Sequence, residues 1–130
     1  MASEVLVDAD IDRGRRVLEA LDSTGLRARA AFWRYAHESS DWRLVIALPT
    51  VDLRGTRSVY ERLGRLLKKS DIDIPLWRIT VVSTGDPLTR WARLQIKKTD
   101  PEVVGLRSSS NTAIGDAAIE DAYIYRSTST

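Results

Sequence analysis

His37, Ser39 and Asp41 fall within the five residues HESSD and are the residue types of a hydrolytic triad. A triad needs a nucleophile on a sharp elbow, an orienting acid brought from elsewhere in the fold and an oxyanion hole. One short loop supplies none of these, so His37, the only histidine, reads as a solvated turn residue. In DADIDRGRRVLE, Asp8, Asp10, Asp12 and Glu19 stand at the first, third, fifth and twelfth places of a calcium loop. Such a loop needs glycine at its sixth place, where this chain has Arg13, and usually an apolar residue at its eighth, where it has Arg15. The same acids suit the first turn of a helix, whose macrodipole favours negative charge.

STGDP, residues 83–87, joins a strand pattern to a helix start, where backbone N–H groups can bind anions. Asp86 would repel a phosphate there and reads as an N-cap, with Pro87 at the first helical position. Glu120 and Asp121 are adjacent in a strand pattern and point to opposite faces, so they do not make a carboxylate pair. The sequence therefore supports no catalytic residue, metal site, cofactor or small-molecule substrate, and an enzyme is not the favoured class.

More informative is the dipeptide Trp-Arg, present as Trp33-Arg34, Trp42-Arg43 and Trp77-Arg78. Side chains alternate along a strand, so a Trp and the Arg after it face opposite ways. In DWRLVIALP, Trp42, Leu44, Ile46 and Leu48 share a face, and in LWRITVV so do Trp77, Ile79 and Val81. Trp42 and Trp77 are thus expected in the core. In LRARAAFWRYAH the consistently apolar set is Leu26, Ala28, Ala30 and Phe32. If that set faces the helices, Arg29, Trp33, Tyr35, Arg43 and Arg78 lie together on a helix-free sheet face.

The elements that would position these residues follow from periodicity and punctuation. Ile11, Gly14, Leu18 and Leu21 recur at helical spacing behind Asp8 or Asp10, and Gly25 ends that helix. LRARAAFWRYAH and DWRLVIALP form a hairpin, which Pro49 stops. TRSVYERLGRLLKKS carries the stripe Val59, Leu63 and Leu66, with Arg57, Arg62, Arg65, Lys68 and Lys69 outward as a second basic surface. LWRITVVS is a third strand, the helix capped by Asp86 follows, and a final hairpin turns near Gly115-Asp116. For its last strand the pattern leaves open which of the sets Ile119, Asp121, Tyr123 and Tyr125, or Ala118, Ala122 and Ile124, faces inward. The order αββαβαββ predicts an α+β domain with a mixed, mainly antiparallel sheet and helices packed on one face.

At 130 residues and 43% hydrophobic content the chain can bury one core, so a single domain is expected, with residues 1–7 and 127–130 frayed. It has no cysteine, hence neither disulfides nor thiolate chemistry. MASEVLVDAD lacks a basic flank before an apolar run, and no apolar stretch approaches the ~20 residues that span a bilayer. These features predict a cytoplasmic protein without membrane association. The net charge is only +2, but residues 13–98 hold 18 bases against nine acids, between acidic ends. A basic middle predicts an anionic partner, self-association, or acidic ends folded back over it.

The strips FWRYAHESSDWRLVIALPTVDLRG, RSVYERL and IEDAYIYR resemble a group of small uncharacterised bacterial proteins. The resemblance implies a bacterial α+β domain without an assigned activity and carries over no functional residue. The residues themselves predict a non-enzymatic interaction module: a homodimer, or a protein partner held on the aromatic and arginine face. The same face could stack the bases of single-stranded nucleic acid, or be covered by the chain's own C-terminal hairpin.

Overall fold

The computed structural model of the chain describes residue 6 and residues 8–36, 41–97, 106–114 and 117–127. Helix α1, Asp8–Ser23, leads into the hairpin β1, Ala30–Ala36, and β2, Asp41–Ala47. Helices α2, Pro49–Arg54, and α3, Thr56–Lys69, cross to a 3-10 turn over Leu76–Arg78 and strand β3, Ile79–Val82. Helix α4, Pro87–Lys97, and the hairpin β4, Leu106–Ile114, and β5, Ala117–Ser127, complete the chain. The expected α+β order holds with one addition, α2. Pro49 does stop the preceding strand, but its fixed φ also starts a short helix, which ends at Gly55 with φ 78°.

The helix ends follow the punctuation of the sequence. At Gly25, φ 80°, the N–H groups of Gly25 and Leu26 bond the carbonyls of Asp22 and Leu21, a Schellman ending. Helix α3 ends the same way, with Asp71 at φ 53° in the place glycine usually takes and Ile72 bonding Leu67. Asp86 caps α4 by accepting from the Leu88 N–H at 2.9 Å.

The five strands are ordered β3-β2-β1-β5-β4, with β2 and β3 parallel and the other pairs antiparallel, so the sheet is mixed and mainly antiparallel as expected. Helices, however, cover both faces, which corrects the one-face arrangement. On one side Val17, Leu18 and Leu21 of α1 and Val59, Leu63 and Leu67 of α3 join the core that holds Trp42, Leu44 and Ile46. On the other, Trp91 and Ala92 of α4 pack with Phe32, Val45, Ala47, Val82 and Ile124. The physical reason is that β1 and β2 are apolar on both faces. Leaving either face bare would expose a contiguous apolar surface. The question left open for the last strand is settled by the same two cores: Tyr125 lies on the α1 side and Ala122 and Ile124 on the α4 side. Leu6 is buried and Ser127 pairs with Ala30; the rest of the stretches 1–7 and 127–130 lies outside the described residues.

Candidate functional site

The five residues expected on one open face are separated by the structure. Trp33 is fully buried and Tyr35 6% exposed, both on the α1 and α3 side with Trp42. The register pairs Trp33 with Leu44 and Tyr35 with Trp42, so the set that faces Trp42 is Trp33 and Tyr35, not Phe32. Choosing Leu26, Ala28, Ala30 and Phe32 as the inward set fails because β1 has two inward sets, one for each helical layer. Tyr35 meets Trp42 edge-on at 5.8 Å, and the Trp33 Nε1–H donates to the Tyr125 hydroxyl at 2.8 Å. That hydroxyl in turn donates to the Ile11 carbonyl of α1. Gly14 lets the helix approach this closely, since a Cβ there would lie 2.3 Å from the Tyr125 oxygen. Burial pushes the Tyr125 phenol far above the ordinary tyrosine range.

Arg78 is a structural residue on the same side. Its guanidinium lies 5.0 Å from the centre of the Trp33 ring, bonds the Trp42 carbonyl at 3.3 Å and reaches Asp10 at 3.4 Å. Asp10 also accepts from Arg13 at 3.1 Å. The acids of the calcium-like stretch therefore serve α1: Asp8 and Asp10 stand in its first turn, and Asp10 is held by two arginines. Arg29 is partly buried and lines a cleft with Gly25, Arg27 and Pro49. His37 and Ser39 lie outside the described residues, whereas Asp41 pairs with Arg43 at 3.0 Å.

Trp77 departs from expectation in the opposite sense, being 60% exposed. A 3-10 turn behind Pro75 occupies Leu76–Arg78, so the pleat that would have turned Trp77 inward starts only at Ile79. Arg43, from the α4 side of β2, reaches across to it. Its guanidinium stands 5.1 Å from the Trp77 ring centre, and its NH1 donates to the Trp77 carbonyl at 3.0 Å. The Trp-Arg copies thus stack across one another, Arg78 over Trp33 inside and Arg43 over Trp77 outside. Leu76 is also exposed, beside an open cleft of about 560 Å³ bordered by Gly64, Lys68, Asp71 and Asp73. The neighbouring strand edge is occupied, because the Val81 N–H donates to the Tyr60 hydroxyl of α3 at 2.8 Å.

The basic helix divides into separate surfaces. Arg57 is exposed and pairs with Glu61 one turn on, and Lys68 faces the cleft beside Leu76. Arg62, Arg65 and Lys69 border a second cleft of about 310 Å³ between α3 and the end of α1. This cleft was missed at the sequence level. Its only signal there is the spacing of those three bases around Leu66, and its other wall comes from residues some forty positions earlier, Leu21 to Leu26.

No family model, curated protein or solved structure matches this chain. Among the described residues no helix is long and apolar enough to cross a membrane. Function is therefore read from the surfaces themselves.

Proposed function

We propose that the protein is a non-enzymatic interaction module that self-associates through Trp77. The observation that carries this reading is an indole left 60% exposed yet held in place, its carbonyl bonded and its ring stacked by Arg43. Tryptophan and arginine are the residues most often found as binding hot spots. A pre-positioned pair loses little side-chain freedom on association. The partner surface is on the same molecule: in a twofold dimer each Trp77 enters the other copy's cleft beside Leu76, and Arg43 meets the acids Asp71 and Asp73 that border it. Because Tyr60 occupies the β3 edge, the contact is made by side chains rather than by strand addition. A contact anchored by a single tryptophan supports weak association, with a dissociation constant on the order of micromolar.

Light scattering over a concentration series is expected to show mass rising to a dimer, and Trp77→Ala to abolish the rise. Arg43→Glu and Asp73→Arg should each weaken the dimer, and the two together should restore it. A mass that stays monomeric to several hundred micromolar would rule the reading out. A second reading is favoured by the same exposed indole beside a guanidinium, on which a single-stranded nucleic acid could stack a base. It requires salt-sensitive quenching of Trp77 fluorescence by oligonucleotides and fails if titration in low salt leaves the emission unchanged.

A further inference from the structure

We infer that the cleft between the end of α1 and α3 is a binding site for an aliphatic carboxylate, a ligand with an apolar chain and one anionic head. This site is independent of the Trp77 surface and stands or falls separately. Its floor is formed by Leu21, Leu48 and Leu63, each 2% exposed or less, so the opening reaches the core side of the sheet. Its rim carries Arg62, Arg65 and Lys69, which follow one another at three- and four-residue spacing along α3. Among the described residues no acidic side chain lines it, and the adjoining cleft adds Arg27 and Arg29, again with no described acid.

Apolar walls with a few convergent polar groups and a volume of roughly 300 Å³ or more characterise small-molecule sites. The about 310 Å³ here is room for one aliphatic chain. A groove for a partner helix has to take several anchors a turn apart, which is a larger demand. Forked guanidinium groups at the mouth suit a carboxylate, which they can bond in bidentate fashion while the chain lies on leucine. Two hydroxyls also line the cleft: that of Thr24 is engaged with the Leu21 carbonyl, and that of Thr50 can add a hydrogen bond to the head that the bases hold.

Calorimetric titration of the full chain with hexanoate, octanoate and decanoate, and with decyltrimethylammonium as the cationic control, tests the assignment. Affinity is expected to rise about fourfold per added methylene until the cleft is full. The cationic amphiphile is expected not to bind. The double variant Arg65→Gln, Lys69→Gln, both exposed positions, should weaken decanoate by about tenfold or more while leaving the thermal midpoint unchanged. Equal affinity for hexanoate and decanoate, equal binding of the cation, or indifference to the double variant would each overturn the proposal. Binding of a glutamate-rich helical peptide with one leucine, where decanoate fails to bind, would assign the cleft to a protein partner instead.

Discussion

Arg43 donates to the carbonyl of Trp77 at 3.0 Å while its guanidinium stands 5.1 Å from the centre of that residue's ring. The arginine is thereby fixed at both ends of the residue it presents, and Asp41 holds its Nε as well. Arg78 makes the corresponding stack on Trp33 in the interior. One motif therefore serves two purposes, and substitutions should separate them.

Arg43→Ala is expected to cost about 1 kcal/mol of stability, because its stack on a mostly exposed ring, its pair with Asp41 and its bond to the Trp77 carbonyl are all partly solvated, and to weaken self-association. Arg78→Ala is expected to cost about 2–3 kcal/mol, because it removes a mostly buried guanidinium from Trp33, the Trp42 carbonyl and Asp10 together. Urea denaturation of the two variants side by side checks the contrast. Equal losses would show that the inner stack has no special weight.

Gly14→Ala should destabilise the protein although alanine is the better helix former by about 1 kcal/mol. The new methyl group would meet the Tyr125 oxygen at 2.3 Å and Trp33 Nε1 at 2.8 Å, so α1 must lift or the hydrogen bond must break. A net loss of about 1–3 kcal/mol is expected. It should be non-additive with Tyr125→Phe by at least about 0.5 kcal/mol in a double-mutant cycle, since the two share a contact.

Alkaline pH should unfold the protein through Tyr125. Its phenol is raised in the folded state by burial, whereas in the unfolded chain it titrates near the ordinary value of about 10. The unfolded state therefore releases a proton first. Stability from this group is complete below about pH 10 and is lost as pH climbs toward the folded value, by up to about 1.4 kcal/mol per pH unit. Tyr125→Phe leaves Trp33 Nε1–H without its acceptor and should cost about 1–3 kcal/mol at neutral pH. That variant should lack this tyrosine's share of the alkaline slope. Parallel slopes for the two proteins between pH 10 and 11 would contradict the assignment.

Much of this architecture is legible in the residues. Gly25, Pro49 and the Asp86-Pro87 pair mark helix boundaries through backbone properties that act locally; the last two strands pair antiparallel as expected, while the expected turn at Gly115-Asp116 lies outside the described residues. The faces of β1 are not legible, because Phe32 and Trp33 are both apolar and both buried, one under each helical layer. Alternation identifies an inward face only when the other face meets water. Trp77 is misplaced by the same rule for a different reason: parity counted back from Ile79 does not survive a 3-10 turn. The carboxylate cleft needs the end of α1 to meet α3, a tertiary fact with no local signature beyond the placing of Arg62, Arg65 and Lys69.

Trp33, Trp42 and Trp91 are each 5% exposed or less, so collisional quenching by acrylamide reports chiefly on Trp77. Quenching measured across protein concentrations from one to several hundred micromolar is the sharpest test of self-association through Trp77. As dimer forms, the quenchable fraction is expected to fall and the emission to shift to the blue, and Trp77→Phe to remove both changes. A quenchable fraction that stays constant over the whole range would mean that the Trp77 indole meets water in every state of the protein and buries itself in no dimer.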